Sequence, residues 1–215
     1  MGKQFAKIEP EHRAFIERQK IFFVASAPPK GRINVSPKGL SSFRVLGEND
    51  VAYLDCTGSG SETRAHLMAS QDKRLTIMFC AFDGPPMILR LYGQGRSLMR
   101  GTPEYAELVP RFEEVAGARQ IVRLSVELVQ TSCGMGVPLF DYKQERGSLI
   151  RYWMAQGVDN LRKYWRLKNM KSIDGLPTGF APDDMAPPRR SATPVVVSSW
   201  CFSPPQPGWH KAAAC

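Results

Sequence analysis

The chain has 215 residues, of which 43% are hydrophobic, 23% charged and 10% aromatic. That length and composition provide for one sizeable core with an appendage and exclude disorder throughout. A net charge of +9 admits an anionic partner, while no apolar run approaches the ~20 residues of a membrane-spanning helix.

In chain order, residues 10–19 (PEHRAFIERQ) read as a short amphipathic helix, with Pro10 in its first turn and Phe15 and Ile16 facing inward. Residues 21–27 (IFFVASA) form a buried strand stopped by Pro28 and Pro29. Lys30 and Gly31 turn it into a second strand, residues 32–36, giving a hairpin. Residues 43–47 and 51–56 flank Glu48, Asn49 and Asp50 as a second hairpin. A Gly/Ser/Thr stretch, residues 57–61, then leads into a helix over residues 62–69.

Residues 75–82 (LTIMFCAF) form an apolar strand. It turns at Gly84, Pro85 and Pro86 into a long strand running towards Met99. Gly93 and Gly95 interrupt that strand and mark a bulge or barrel corner. A helix is expected over residues 103–115, capped by Thr102 with Pro103 in its first position. Residues 120–131 alternate as a strand, with Val122, Leu124, Val126 and Leu128 on the apolar face. Two helices follow, about 145–156 and 158–170, broken at Gly157.

From Ser172 the chain becomes Pro-rich, with eight of its 17 prolines in the final stretch, and is expected to be extended and poorly ordered. The organisation read from this is a domain over residues 1–138, a helical extension over 139–171 and a tail over 172–215. The fold class is α+β, an antiparallel β-barrel with peripheral helices.

Cys56, Cys80, Cys133, Cys201 and Cys215 are widely spaced, odd in number and lack a CxxC pair. They fit neither a zinc site nor a secreted disulfide framework, and a reducing, cytoplasmic compartment is expected. The first residues show no apolar signal core, and neither a membrane anchor nor a metal is expected. His12, His66 and His210 have no catalytic spacing. No nucleophile-elbow pattern occurs, so chemistry would come from a cofactor.

The segment richest in chemistry is residues 53–66 (YLDCTGSGSETRAH). A strand runs into a Gly/Ser/Thr turn that opens a helix, exposing unpaired N–H groups and the positive end of the helix dipole. A phosphate monoester fits such a place. Thr57, Ser59, Ser61 and Thr63 offer hydroxyls, and Arg64 offers a charged fork. The same residues also fit a capping box between Ser59 and Glu62, which fills those amides without a ligand. Both readings stand on the residues alone.

The order of elements around this turn carries a resemblance. Before it comes residues 32–39 (RINVSPKG). After it come Ala65, His66 and Leu67, then residues 76–80 (TIMFC) and 88–93 (ILRLYG). Residues 132–138 (SCGMGVP) and 169–177 (NMKSIDGLP) add to it. This succession resembles the pyridoxamine 5′-phosphate oxidase family of FMN-binding split barrels, over roughly residues 10–131. The resemblance implies an antiparallel split β-barrel, a homodimer with cofactor sites at the interface, and bound FMN acting on a small-molecule substrate.

By position, Lys38 matches the family's basic residue beside the flavin. Val35 and Ser36 would offer backbone groups to the ring edge, and Asp55 ends a strand facing the cofactor. Thr63 and Arg64 fall at the family's phosphate-gripping Arg-Lys pair. There are departures: Thr63 is uncharged, Ile88 stands near the family's later-strand Gln, and the C-terminal substrate signature is absent. Oxidation of pyridoxamine phosphate itself is therefore not expected.

The resemblance leaves the deazaflavin F420, a haem-handling role and a non-catalytic flavin carrier as alternatives. Cys133, just ahead of two turn glycines, lines the flavin face or is a buried structural thiol. A further alternative, a nucleic-acid binder, rests on Arg162, Lys163, Arg166, Lys168 and Lys171. Those bases also read as the solvated side of a helix docked through Leu161 and Trp165.

Overall fold

The structure, a computed structural model, describes residues 2–113 and 115–183. The later tail, with Cys201, His210 and Cys215, lies outside the described residues. The chain runs β1 (Lys3–Phe5), α1 (Pro10–Arg18), β2 (Phe22–Ser26), β3 (Asn34–Lys38), β4 (Phe43–Gly47) and β5 (Asp50–Cys56). It continues through α2 (Glu62–Ala69), β6 (Arg74–Cys80), β7 (Ile88–Met99), α3 (Pro103–Leu108), β8 (Ala118–Ser132) and α4 (Ser148–Lys168).

The strands form one antiparallel eight-stranded sheet in the order β3-β2-β6-β7-β8-β5-β4, with β1 paired to β8. Among the described residues β3 and β4 do not pair, so the sheet curls towards closure but stays split between them. The architecture is the α+β antiparallel split barrel that the resemblance implies. Aromatic rings close the inside of the split: Phe22 of β2 meets Phe43 of β4 at 5.0 Å, and Phe43 meets Phe79 of β6 at 5.0 Å.

The main core fills the concave side of the sheet. Val24, Tyr53, Ile77, Phe79, Leu89, Leu91 and Leu124 are almost wholly buried there, each large apolar side chain contributing about 1.5–3 kcal/mol. α1 and α2 cap this core through Phe15, Ile16 and Leu67. A second cluster packs Tyr105 of α3 and Phe112 on Leu54, Leu98 and Ile121.

Gly93 behaves as its sequence position implies. The register between β7 and β8 shifts between Tyr92 and Gly93, which pair with Leu128 and Val126. A Cβ on Gly93 would lie 1.9 Å from the Ser125 carbonyl oxygen. The bulge also corrects the expected β8 pattern. Val122, Leu124 and Val126 face inward, but past the skipped Glu127 the inward residue is Val129, and Leu128 is only half-buried.

Two further expectations change and one holds. The helix from Pro103 is shorter than expected and passes at residues 109–111 into a single 3₁₀ turn, because Pro110 has no N–H to continue it. Gly157 (φ 73°, ψ 174°) splits α4 into two helical halves, as expected. The start of the Pro-rich segment is not extended. Residues 172–180 turn back through a bridge between Lys171 and Pro177, and Thr178 and Phe180 are buried. Composition missed this because a few anchoring residues decide docking: Phe180 joins Trp153, Leu161 and Trp165 in one cluster.

Candidate functional site

A cleft of about 800 Å³ opens beside the split in the sheet. Its walls are β3, the turn at residues 58–61, the start of α2, and residues returning from the end of α4. The expected site residues Val35, Ser36, Lys38, Asp55, Ser59, Ser61, Thr63 and Arg64 all line it. They come from β3, β5, the turn at residues 58–61 and α2, so the barrel assembles what the sequence spreads over some thirty residues.

Thr57 is the exception. It is fully buried, donates through Oγ1 to the Gly117 carbonyl (2.7 Å) and accepts from Trp165 Nε1 (2.7 Å). Its hydroxyl therefore ties the turn to α4 and does not offer itself to a ligand. The capping box is also absent. The N-cap of α2 is Ser61, which makes no side-chain cap. Glu62 instead accepts from the Ile173 N–H at 3.1 and 3.2 Å. The first-turn amides of α2 consequently keep their positive character towards the cleft.

Arg64 is buried in the cleft wall, 6% exposed. It donates to Ser97 Oγ (2.7 Å) and the Gly179 carbonyl (3.2 Å), and its guanidinium lies over the Phe180 ring. Its Nε and the nearby Ser61 Oγ are buried without a hydrogen-bond partner. Burial, reinforced by the positive charge of Arg119, lowers the Arg64 pKa to about 10. No carboxylate among the described residues pairs with it. A desolvated cation in that setting is stabilised by an incoming anion.

A buried network holds this arrangement. Asp55 accepts from Lys38 Nζ (2.9 Å), Arg119 Nε (2.8 Å) and Gln120 Nε2 (2.7 Å). Burial raises its pKa, but the charges of Arg119 and Lys38 and the Gln120 bond outweigh that and hold its carboxyl well below the usual range. Gln120 accepts from the Ser97 hydroxyl, which accepts from Arg64. Arg119 reaches Asn169 Oδ1 (2.8 Å), and Asn169 Nδ2 donates to the Gly58 carbonyl (3.2 Å). One chain of bonds thus links Lys38, at the free edge of the split, to Arg64 at the start of α2.

Asp55 is fully engaged as the counter-charge of this network. Cys56, also in the wall, has its thiol pushed up to about 11 by burial and by Asp55. It is held as a neutral thiol at physiological pH. Among the described residues β3 pairs only with β2, which leaves the backbone groups of its other edge outside the sheet ladder. Ile33, just before β3, and Val35, within it, are 74% and 61% exposed.

Sequence reasoning missed Arg119, Gln120, Arg32, Lys168 and Lys171, all in the wall. In the sequence Lys168 and Lys171 read as part of a basic patch, either a nucleic-acid footprint or the solvated side of a helix. That face is divided: the two lysines line the cleft, Arg166 pairs with Asp183, and Leu161 and Trp165 are buried as the docked stripe. Cys133 is not the buried structural thiol of the alternative reading. It is exposed and outside this wall, because the Gly134 turn (φ 66°) packs tightly on the Met87 backbone and directs the loop off the core.

His66 is buried with Nδ1 2.9 Å from Ser26 Oγ, in keeping with a packing role. Among the described residues no group of His, Cys, Asp or Glu could hold a metal ion, and no helix is long and apolar enough to cross a membrane.

Comparison with known proteins matches residues 8–133 to the family model described as pyridoxamine 5′-phosphate oxidase. A curated relative, the pyridoxamine 5′-phosphate oxidase family protein ustO of Aspergillus flavus, is 43% identical over 180 residues, covering 74% of this chain and 71% of that protein. Among solved structures, a HupZ variant of Group A Streptococcus has a TM-score of 0.45 at 19% identity, covering 58% of this chain and 99% of that one. A pyridoxamine 5′-phosphate oxidase homologue from Lactobacillus delbrueckii has a TM-score of 0.46 at 15% identity, covering 58% and 94%. With the family model spanning more than half of its length, the chain belongs to the pyridoxamine 5′-phosphate oxidase family.

Proposed function

We propose that this protein is an FMN-binding flavoprotein that acts as an oxidoreductase on a small molecule. The observation that carries the reading is Arg64: a buried cation without a carboxylate, beside the uncapped start of α2 and the unbonded Ser61 Oγ, in a cleft of about 800 Å³. A cleft of that size suits a ligand of a few hundred daltons.

The phosphate monoester of FMN belongs at α2, where Ser59, Ser61, Thr63, the first-turn amides and Arg64 supply donors. The ring belongs along β3, where Val35 and Ser36 present backbone groups and Lys38 supplies positive charge. When bound, flavin supplies hydride and single-electron exchange with a substrate. Lys38 is held in place by Asp55, so its charge stays fixed towards the cleft rather than sampling solvent. The exposed Ile33 and Val35 on the free β3 edge favour a homodimer that covers this side of the cleft. The three described free cysteines fit a reducing cytoplasm.

F420 shares the phosphate and tricyclic ring, and the test below separates it by mass. Haem is disfavoured: no histidine lines the cleft among the described residues, and Cys56 is held as a neutral thiol.

The test is the visible absorption spectrum of the purified protein, with mass identification of the released cofactor. The expected result is an oxidised-flavin spectrum and the mass of FMN. Bleaching by NAD(P)H and recovery with a substrate would distinguish an enzyme from a carrier. A colourless protein that ignores added FMN would remove the reading.

A further inference from the structure

The charge around the turn at residues 58–61 is unevenly supplied. In the barrel itself Lys38 and Arg119 share Asp55, and the Glu62 carboxylate lines the same cleft as Arg64 without pairing with it. With Arg32 engaged by Asp174, the other three barrel cations of the wall face two carboxylates, leaving about one net positive charge. A phosphate monoester carries about 1.5 to 2 negative charges at neutral pH.

The shortfall is met from beyond the family-matched span, which ends at residue 133. Lys168, at the end of α4, and Lys171 line the cleft, are exposed, and have no carboxylate partner among the described residues. Their placement is not left to a loose tail. Asn169, fully buried between them, bonds Arg119 and the Gly58 carbonyl. The Ile173 N–H is bound by Glu62, which also engages that carboxylate away from an incoming anion. Asp174 accepts from the Arg32 backbone N–H (2.7 Å) and pairs with its guanidinium. The returning segment is therefore fixed to the phosphate turn on one side and to the β2–β3 hairpin on the other.

We propose that Lys168 and Lys171 form the second cationic wall of the phosphate site, so that the C-terminal extension completes the flavin phosphate cradle begun by the barrel. The inference rests on the flavin reading above. It assigns the extension to cofactor retention through charge: riboflavin, which has the ring and ribityl chain without the phosphate, does not use these lysines.

The experiment titrates FMN and riboflavin, by quenching of flavin fluorescence, into the full chain freed of cofactor. Wild type is compared with the Lys168→Ala/Lys171→Ala double variant, with the Lys168→Arg/Lys171→Arg pair, and with Lys163→Ala, an exposed base of the same helix outside the cleft. The double alanine variant is expected to bind FMN at least roughly tenfold more weakly, with riboflavin affinity held within about twofold. The arginine pair and Lys163→Ala are expected to bind both flavins as wild type does. Raised salt should narrow the FMN gap between wild type and the alanine pair. Equal FMN binding by the alanine pair and wild type would overturn the inference and leave the flavin reading standing, as would equal loss of FMN and riboflavin. A wild type that binds neither flavin would overturn the flavin reading, and the inference with it.

Discussion

Lys38 and Asp55 meet across the split of the sheet, Nζ to Oδ1 at 2.9 Å, joining the free edge strand β3 to β5 near the opposite edge. No backbone pairing spans β3 and β4 among the described residues, so this ion pair is a bond between the two rims. Asp55 also carries Arg119, which is only 4% exposed. Removing the carboxylate therefore leaves a buried guanidinium without its counter-charge. Asp55→Asn is expected to cost about 3–5 kcal/mol at neutral pH, measured by urea unfolding.

The pH dependence has a definite sign. The Asp55 pKa in the folded chain is depressed below its unfolded value, so its contribution is complete above the unfolded pKa of about 3.9 and is lost as pH falls through the folded value. The stability gap between wild type and Asp55→Asn is expected to be constant from pH 8 to about pH 5 and to narrow below about pH 4. A gap that widened on acidification would contradict this.

Gly93 is fixed by close backbone approach. With a Cβ 1.9 Å from the Ser125 carbonyl oxygen, Gly93→Ala must separate β7 from β8, the longest pairing in the sheet. A loss of about 2–4 kcal/mol is expected, against about 1 kcal/mol or less for a surface glycine such as Gly136, which has open space around it. Parallel denaturation curves of the two alanine variants check this.

Thr57 anchors the turn and leaves ligand contact to its neighbours. Thr57→Val keeps the shape but strands the Trp165 indole N–H, at a cost of about 1–3 kcal/mol. The ratio of FMN to riboflavin affinity is expected to remain that of wild type. A change in that ratio, with stability unaltered, would return Thr57 to the ligand side.

Local patterns carried much of this fold. The hairpin of β4 and β5, the strand–turn–helix into α2, the glycine bulge and the break at Gly157 each depend on residues within a few positions of one another. What escaped depends on distant contacts. Arg119 lies among the buried residues that open β8, and nothing beside it in the chain indicates that its partners are Asp55 and Asn169. A buried-strand cation does imply a buried carboxylate somewhere, and Asp55 was already singled out, so that pairing was the one available signal. Lys168 and Lys171 could not be separated from the other bases of their helix, because only the docking of Trp165 and Phe180 decides which side faces the cleft. Ser59 and Glu62 fitted a capping box until the return of Ile173 supplied Glu62 with another partner.

Arg64 is the proposed anchor of the phosphate. Buried without a carboxylate, it costs the ligand-free protein desolvation energy that a phosphate would recover. The most direct measurement is the affinity of FMN and of riboflavin for wild type, Arg64→Met and Arg64→Glu, alongside the unfolding free energy of each ligand-free chain. Arg64→Met is expected to unfold within about 1 kcal/mol of wild type, since relief of desolvation offsets its lost bonds to Ser97 and Gly179, while FMN binding weakens roughly tenfold to a hundredfold. Arg64→Glu is expected to lose FMN more completely and to keep most of its riboflavin affinity. FMN affinity unchanged in Arg64→Glu would contradict the phosphate site outright.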